Sequence, residues 1–307
     1  MALQDLKKIV LSAEGYAGQI DEMEMRFYQD NGVTALNLYD AQRDMLADKG
    51  FTEGSLADRW NAYLRSLGHV GSLNDMLNAF WASGGPSFGV EDPEFANVVL
   101  LMHFEGADAG VVFTDDSSHS RSFTASGGAQ TDTAQYAFGT SSGLFDGTGD
   151  YITDDTGADS DFAFPGDFTI EWSSRKTGDG AAGYDTLLSV DPSRGSGSGG
   201  WFIEFSNTRG LYMYQSGVII SHSFSPNDST WHSYAITREG SDIKFFIDGV
   251  VTATSSSAAS LLAGAEMIIG GAGGYDFNGH VDELRITKGV ARYTANYTPA
   301  AAAFPDA

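Results

Sequence analysis

The chain has 307 residues, 42% of them hydrophobic, no cysteine and a formal net charge of −24. Such a negative charge repels phosphate backbones and anionic lipid, so we expect no nucleic-acid partner and no membrane insertion. Without cysteine the chain can have no disulfide framework, thiolate nucleophile or cysteine-based zinc site. The 38 glycines, 20 phenylalanines and 13 tyrosines favour many short strands joined by tight turns.

The N-terminal segment gives no sign of export. Its apolar patch at residues 1–11 is far too short to span a membrane, and no small-residue cleavage site follows a hydrophobic region. We therefore expect no signal peptide and a protein that stays in the compartment where it is made.

Residues 1–85 are predicted to form a small helical domain with an internal repeat. The segment GSLADRWNAY, which starts at Gly54, aligns with GSLNDMLNAF, which starts at Gly71. In the first copy Ser55 and Asp58 are spaced as a capping box, in which each side chain accepts the other's backbone N–H. The second copy has the same pair, so each copy is predicted to begin a short helix. A weaker third copy is predicted within 37–50, and a long bracing segment at about 3–28.

Apolar side chains recur at helical spacing in both copies and give each helix one hydrophobic stripe. Helices this short cannot bury enough surface alone, so they must stack on one another or dock onto a partner. The stripe is predicted to anchor the helical region to a larger assembly, with the core of a small helical bundle as the alternative. Its residues are Trp60, Tyr63, Leu64, Leu77, Phe80 and Trp81.

A composition change separates this region from the rest of the chain. Glycine, proline and acidic residues crowd the stretch 84–94 and end any helix there. We predict a linker at 86–96 and a second domain at 97–307. Most of the negative charge belongs to this part, because residues 91–307 hold 10 Lys and Arg against 29 Asp and Glu, a net charge of −19.

The second domain is predicted to consist of short β-strands. The apolar run 98–104 is typical of a central strand that is buried on both faces. Asp248 and Gly249, between two apolar runs, predict a type I′ hairpin turn. Eleven or more strands at this spacing predict a mainly β fold, a two-sheet antiparallel jelly-roll sandwich. The other runs lie at 144–145, 151–152, 168–172, 187–190, 201–205, 211–214, 231–238, 243–247, 250–254, 267–270 and 280–287.

Five segments of this domain follow one another in a recognisable order: VVLLMHFEG, FGTSSGLFDGTGDYI, FPGDFTIEWSSR, WHSYAITREGSDIKFFIDGV and FNGHVDELRITKGVARY. Over about residues 97–298 this order resembles the concanavalin A-like, laminin-G-type jelly-roll domain of tailed-bacteriophage structural proteins. The resemblance implies a non-enzymatic virion protein that displays a lectin-like domain for attachment to a host surface or glycan. Its helical region would be the anchor in the virion.

The resemblance also implies the partners. These are other capsid or tail proteins, a host-surface carbohydrate and further copies of the chain, because many copies raise a weak sugar affinity by avidity. A place on the capsid, the tail or a fibre fits equally well. Two alternatives stay open: a free carbohydrate-binding or glycan-cleaving protein, and a decoration protein that reinforces the capsid or tail without any ligand.

The sequence gives little support to enzymatic chemistry. A glycosidase needs two carboxylates that flank the scissile bond, whereas Glu171 and Glu204 each stand alone on a predicted strand and are expected to face outward. Ser141 lies in a GTSSG segment that matches the nucleophile elbow, but a strand and a turn follow it instead of the required helix. The six histidines are not spaced as zinc ligands and are predicted to be hydrogen-bonded structural residues. We expect no required cofactor.

Calcium is the metal that the resemblance makes reasonable, since laminin-G-type domains sometimes bind it. Asp282 shares a face with Leu284 and Ile286 on an alternating strand, so it is predicted to point at the core, where a bare carboxylate needs a partner. Glu105 would be its neighbour if the first and last strands pair. The predicted calcium ligands are therefore Asp282 and Glu105, with capping of local backbone N–H groups by Asp282 as the alternative.

A sugar site needs exposed aromatic faces and a few amide or carboxylate groups, because sugar rings stack and their hydroxyls need partners. In the predicted strand 211–214 the two tyrosines lie on one side and Leu211 and Met213 on the other. We expect the aliphatic pair to be buried and the tyrosines to be accessible, with burial of both pairs as the alternative. The predicted ligand-binding residues are Tyr184, Trp201, Tyr212, Tyr214, Tyr275, Asp276 and Asn278.

Overall fold

The computed structural model describes residues 24, 38–49, 51–53, 55–66, 76, 77, 80, 92–154, 157–180, 183–191, 199–223 and 227–306. The chain divides into two units, Met1–Val90 and Glu91–Ala307. The boundary between the units lies inside the predicted linker, 86–96. The second half of that predicted linker is therefore part of the β unit.

The first unit contains two described α-helices, α1 (Leu38–Asp48) and α2 (Leu56–Ser66). The capping box predicted at the start of α2 is confirmed. Ser55 Oγ accepts the N–H of Asp58 at 3.2 Å, and Asp58 Oδ2 accepts the N–H of Ser55 at 2.9 Å. Helix α1 occupies the predicted third copy. The cap of the second copy and, apart from residue 24, the segment 3–28 lie outside the described residues.

The hydrophobic stripe predicted as an anchor is largely buried within the described residues. Phe80 packs edge-on against Trp60 and Tyr63, with ring centroids 5.5 and 5.8 Å apart. Leu77 is half-buried, and Trp81 lies outside the described residues. The prediction of an accessible stripe is wrong for the buried members, because aromatic side chains on short helices bury their area against one another, as in the bundle-core alternative. The buried members are Trp60, Tyr63, Leu64 and Phe80.

The second unit contains sixteen described strands and two short 3₁₀ helices, Phe95–Asn97 and Ser160–Phe162. In chain order the strands are β1 (Val98–Met102), β2 (Val112–Thr114), β3 (Ser122–Ser126), β4 (Gln130–Asp132), β5 (Ser142–Asp146), β6 (Tyr151–Thr153), β7 (Phe168–Lys176), β8 (Tyr184–Ser189), β9 (Phe202–Ser206), β10 (Gly210–Tyr214), β11 (Val218–His222), β12 (Trp231–Glu239), β13 (Asp242–Ile247), β14 (Val250–Ser256), β15 (Ile268–Ile269) and β16 (Asn278–Lys288).

These strands form two eight-stranded antiparallel sheets, which is the two-sheet sandwich predicted from the sequence. Sheet A has the order β14-β13-β12-β7-β16-β5-β4, and β1 pairs with the second half of β16. Sheet B has the order β11-β10-β9-β8-β15-β6-β3-β2. The hydrophobic core lies between the sheets and joins side chains such as Trp172 and Ile286 of sheet A to Leu188 and Phe205 of sheet B.

Two local predictions are confirmed. Strand β1 is buried along its whole length and pairs with the last strand, so that Leu100 lies opposite Ile286. Asp248 and Gly249 have φ angles of 50° and 75°, as a type I′ turn requires. The sequence did not predict the four strands β2, β3, β4 and β11, each of which buries only one side chain fully. Strands β3 and β4 lack an apolar run, whereas the three-residue apolar runs at 111–113 and 218–220 mark β2 and β11 and were missed.

Charged side chains lie buried on the face of sheet A that points away from the core. Arg285 donates to Glu171 at 2.9 Å and to Asp92 at 3.0 Å, and Arg292 donates to both oxygens of Asp92. The Tyr293 hydroxyl donates to Glu171 at 2.7 Å. Burial alone would raise the pKa of Asp92, but the Arg292 guanidinium holds it below its ordinary value. The prediction that Glu171 is solvent-facing is wrong, because Arg285 and Tyr293 cover it.

Candidate functional site

A cavity of about 430 Å³ lies on the outer face of sheet B, where β3, β6 and β15 run side by side. Its place follows from strand alternation. Phe123, Ile152 and Ile269 point into the core between the sheets, so their neighbours in sequence point outward. The cavity is lined by Thr124, Ser126, Tyr151, Thr153, Glu266, Ile268, Gly271, Ala272, Gly273, Gly274 and Asp276.

The strand side chains at the cavity combine hydroxyl groups with one aromatic ring. Thr124 lies opposite Thr153 and Ser126 lies opposite Tyr151, so three hydroxyls and the tyrosine share one surface. Ile268, opposite Thr153, adds a small apolar patch. A half-buried ring beside hydroxyl donors and acceptors can hold a polar ligand that also has an apolar face.

Asp276 supplies the most constrained polar group of the cavity. Its residue surface is only 7% exposed, and its Oδ2 accepts the N–H of Gly149 at 2.7 Å. Its Oδ1 accepts no hydrogen bond from a described residue and lies beside Gly271, where an added Cβ would be 2.5 Å from it. Asp276 Oδ1 is not among the buried oxygens without a partner, so it is open at the cavity. It can accept a hydrogen bond from water or from a ligand that donates.

A glycine-rich turn and a second carboxylate complete the wall of the cavity. Gly273 and Gly274 have φ angles of 58° and 81°, which L side chains rarely adopt. Gly271 has no side chain to cover Asp276, and Glu266 lines the cavity as well. Among the described lining residues none is Lys, Arg or His. The cavity therefore presents hydrogen-bond acceptors, hydroxyls and one ring, without a cation.

One of the predicted ligand-binding residues, Asp276, lines this cavity. Tyr275, which follows the glycine run in the sequence, and Tyr184 are not among the lining residues. The ring of Tyr184 packs edge-on against Tyr275 with centroids 5.6 Å apart. Asn278, by contrast, begins a strand of sheet A, and its side-chain oxygen accepts the Thr177 hydroxyl at 2.9 Å. Its role is therefore to hold the turn after β7, away from the cavity lining.

Trp201 was predicted to contact a sugar, and the structure contradicts this. The residue is fully buried, and its indole N–H donates to the carbonyl of Phe162 at 2.8 Å. Its ring packs against Phe164 in the core between the sheets. The reason is that the residue stands just before β9 with its side chain directed inward, which a single aromatic at a strand end does not reveal in sequence.

The prediction for strand 211–214 is correct on one face and wrong on the other. Leu211 and Met213 are buried in the core, as expected. Tyr212 is also buried, and its hydroxyl donates to Glu204, which was expected to be exposed but is buried too. Tyr214 is half-buried and stacks on a neighbouring phenylalanine ring. The outer face of sheet B is thus covered at β9 and β10, and Tyr212 cannot receive a ligand there.

The sequence interpretation missed Tyr151, Glu266 and the hydroxyl residues of β3. These residues lie far apart in the chain, and only the pairing of β3, β6 and β15 brings them together. One signal was available: five small residues, 270–274, stand immediately before Tyr275 and Asp276. Such a run next to an aromatic and a carboxylate indicates a place where backbone and ligand approach closely.

The predicted calcium ligands lie at one loop but use their oxygens for other purposes. Asp282 accepts the backbone N–H groups of Ala137, Phe138 and Glu283 at 2.7, 3.1 and 2.9 Å. Burial raises the pKa of Asp282 to about 7 in spite of these donors. Glu105 accepts the backbone N–H of Thr140 at 2.8 Å. The structure thus has the capping arrangement that was the alternative, and both carboxylates hold the loop 137–140.

Gly139 in this loop has a φ of 64°, and an added Cβ would be 1.6 Å from Glu105 Oε1. We expect Gly139→Ala to lower the free energy of unfolding by about 2–3 kcal/mol, through left-handed backbone strain and loss of the Glu105 contact. Urea unfolding of the full chain measures this. Gly217→Ala is the matched control, because nothing lies within 4 Å of its added Cβ. Equal stability of the two variants would contradict the role given to Glu105.

Three of the histidines predicted to be structural, His103, His232 and His280, are hydrogen-bonded. His103 contacts Glu283 at 2.8 Å and Asp306 at 2.7 Å through its two ring nitrogens. His280 contacts Asp132 at 2.8 Å. Burial opposes the charged form of His103, but the two carboxylates raise its pKa to about 9. His103 therefore ties the C-terminal segment to the end of β1 as a cation at neutral pH.

This clamp makes stability depend on pH in a defined direction. In the folded chain the pKa of His103 lies above its ordinary value of 6.5. Its contribution to the free energy of unfolding is therefore complete below about pH 6.5 and is lost as the pH rises through about 9. We expect His103→Gln to cost roughly 1–2 kcal/mol at pH 7, a modest value because solvent screens the exposed Asp306. Urea unfolding at pH 7 and 10 tests this: the difference from wild type should shrink at pH 10, and a constant difference would refute it.

Metal-binding clusters and membrane-spanning helices are both absent from the described part of the chain. Within it, no group of three or more His, Asp or Glu residues is arranged to hold a metal ion. Neither described helix combines the length and the apolar character needed to cross a bilayer.

Residues 146–292 match the family model Laminin_G_3, described as the Concanavalin A-like lectin/glucanases superfamily. The match covers a little under half of the chain and includes Tyr151, Glu266 and Asp276. Together with the two-sheet sandwich, it supports the concanavalin A-like, laminin-G-like jelly-roll domain that the sequence resemblance implied. Among curated proteins none matches the chain.

Several solved structures are similar in fold at low identity. Domain 4 of an extracellular arabinanase from Geobacillus stearothermophilus, in complex with arabinotriose, is 14% identical with a TM-score of 0.45, over 64% of this chain and 94% of that one. The botulinum neurotoxin type G receptor-binding domain is 13% identical with a TM-score of 0.42, over 64% of this chain and 49% of that one. A Ruminococcus gnavus sialidase CBM40 bound to sialyllactose is 20% identical with a TM-score of 0.34, over 41% of this chain and 77% of that one.

Proposed function

We propose that this protein binds a carbohydrate in the cavity on sheet B and acts as a binding protein without catalysing a reaction. The observation that carries the proposal is the carboxylate oxygen of Asp276, which is held at a cavity wall without a donor from the described residues. The ring of Tyr151 and the hydroxyls of Thr124 and Ser126 lie in the same cavity. A sugar offers what this surface needs, because it carries hydroxyl donors and an apolar ring face.

The three catalytic candidates considered from the sequence are engaged in internal contacts. Glu171 accepts from Arg285 and from a tyrosine hydroxyl, and Glu204 accepts the Thr186 hydroxyl at 3.0 Å. Ser141 is buried and donates to the carbonyl of Phe104 at 3.0 Å. These contacts leave Glu171, Glu204 and Ser141 unavailable for bond cleavage, so the release of reducing ends remains part of the test below.

Binding of the labelled 307-residue chain to an array of glycans tests the proposal. We expect retention of at least one class of glycan and no release of reducing ends from any glycan that is bound. If the protein binds none of the glycans, carbohydrate binding is refuted and a domain that only reinforces an assembly is favoured. Release of reducing ends would refute the non-enzymatic role.

The proposed biological setting is the virion of a tailed bacteriophage. The order of motifs in the β domain supports this, and the helical region would join the domain to other capsid or tail proteins. Many copies on one particle would raise a weak affinity for a host-surface glycan by avidity. Immunogold labelling of purified particles tests the setting: label on capsid, tail or fibre is the expected result, and particles without label would contradict it.

Calcium binding is proposed as a secondary property of the β domain. The ion would bind at the loop 137–140. There it would replace the backbone N–H groups that now donate to the carboxylates of Asp282 and Glu105. A bound ion stabilises the folded state in proportion to its concentration over its dissociation constant, so thermal unfolding is expected at higher temperature in millimolar calcium than in chelator. Identical unfolding in both conditions would end this proposal.

A further inference from the structure

We infer that the cavity on sheet B selects sugars that carry no negative charge and rejects sialylated or sulfated ones, with Asp276 as the acceptor of a sugar hydroxyl. This rests on the proposed function and adds the class of ligand to it. The first ground is the charge of the lining. Glu266 and Asp276 are its two ionisable carboxylates, and none of the described lining residues is a cation.

Recognition of an anionic sugar requires the opposite arrangement. Carboxylate, sulfate and phosphate groups on ligands are held by Arg or Lys, or by several backbone N–H groups, because only these neutralise the charge as water is removed. Here Gly149, whose N–H points toward the site, already donates to Asp276 Oδ2. A sialic acid in the cavity would bring a third carboxylate beside Glu266 and Asp276, with no compensating partner among the described lining residues.

The second ground is the hydrogen-bonding direction of Asp276. As a carboxylate it can only accept, and its Oδ1 is open beside Gly271, so its ligand must donate. A hydroxyl is the donor that every neutral sugar carries, and a hydroxyl bonded to a carboxylate forms one of the stronger hydrogen bonds in proteins. The half-buried Tyr151 ring on the same surface gives the apolar face of the sugar a place to pack.

The net charge of the chain also repels anions, so the experiment must separate the local effect from the general one. Solvated charges are screened over about 10 Å at 0.1 M salt, whereas groups inside a cavity are screened much less. Glu239 is exposed on β12 of sheet A and gives a control variant, Glu239→Gln, that removes the same charge as a change at the cavity. Any difference between the two variants therefore reports the cavity.

The test uses the full chain and matched glycan pairs that differ only by a terminal sialic acid or a sulfate, at 0.15 M salt. We expect the neutral member of each bound pair to have the lower dissociation constant, by about tenfold or more. Asp276→Asn is expected to raise the dissociation constant of the neutral glycan about tenfold or more, because an amide donor then faces the cavity. The ratio between the dissociation constants of the charged and neutral glycans of a pair should therefore become smaller. Glu239→Gln should leave both values unchanged.

The outcomes separate this inference from the proposed function. Equal or tighter binding of the charged members, abolished by Tyr151→Ala, would overturn the charge selection while carbohydrate binding in the cavity stands. Failure of every glycan to bind would overturn both. Glu266→Gln serves as a second variant if Asp276→Asn lowers the unfolding temperature. If neither Asp276→Asn nor Glu266→Gln changes the affinity for neutral glycans, the two carboxylates do not contact the ligand and the inference is overturned.

Discussion

Trp201→Ala is expected to lower the free energy of unfolding by about 3–5 kcal/mol, the range for loss of a large buried aromatic side chain. The side chain is fully buried, and its ring lies 5.7 Å from that of Phe164. Truncation leaves an apolar void and deprives the carbonyl of Phe162 of its indole donor. Urea unfolding followed by circular dichroism measures the loss.

Tyr136→Ala is the matched control, because this tyrosine is among the exposed large side chains of the β domain. We expect a change of no more than about 0.5 kcal/mol for it. Trp201→Ala also decides between core and ligand roles. A variant that unfolds like the wild type but loses glycan binding would contradict the core position and restore the interpretation that Trp201 contacts a sugar.

Arg285→Met is expected to cost about 3–5 kcal/mol, because it leaves carboxylates buried without one of their cations. Arg285 bridges Glu171 and Asp92, and its guanidinium lies 3.8 Å above the ring of Phe304. After the change Asp92 keeps Arg292, whereas Glu171 keeps chiefly the Tyr293 hydroxyl. Chemical unfolding at pH 7 is the measurement.

Arg209→Met provides the comparison, since Arg209 is exposed and its guanidinium lies 5.8 Å from the ring centre of Tyr212. Its cost should stay below about 1 kcal/mol. The double variant Arg285→Met with Glu171→Leu should recover part of the stability, because the unpaired buried charge is then gone. If the double variant loses more free energy of unfolding than the two single variants lose together, the explanation by an uncompensated charge is wrong.

Much of the fold could be predicted because its central strands carry continuous apolar runs. Strand β1 is buried on both faces, and its sequence is apolar throughout. The type I′ turn at Asp248 and Gly249 is a local property of two residues. The edge strands β2 and β11 were missed although three consecutive apolar residues lie at each, 111–113 and 218–220. An apolar run this short does not by itself specify a strand, which also depends on pairing with a neighbour.

The functional site could be predicted only in part, for a related reason. Asp276 stands beside a glycine run and could be singled out from its neighbours in sequence. Tyr151 and Glu266 could not, because the order β15-β6-β3 in sheet B brings them to the cavity. Strand alternation also does not say what covers an outer face, which is why Tyr212 and Glu204 are buried against expectation. A local sequence pattern thus indicates which residue can bind a ligand, but it does not indicate which distant residues lie beside it in the fold.

The most direct test of carbohydrate binding in the sheet B cavity compares two tyrosines for the glycan that the wild type binds best. Tyr151 lines the cavity, whereas Tyr214 is half-buried at the end of β10 and is one of the seven ligand-binding residues predicted from the sequence. Titration calorimetry of Tyr151→Ala and Tyr214→Ala is expected to show at least about a tenfold loss of affinity for the first, the effect of losing an aromatic platform, and wild-type affinity for the second. Wild-type affinity of Tyr151→Ala, with loss in Tyr214→Ala, would place the sugar elsewhere and contradict the cavity as its site.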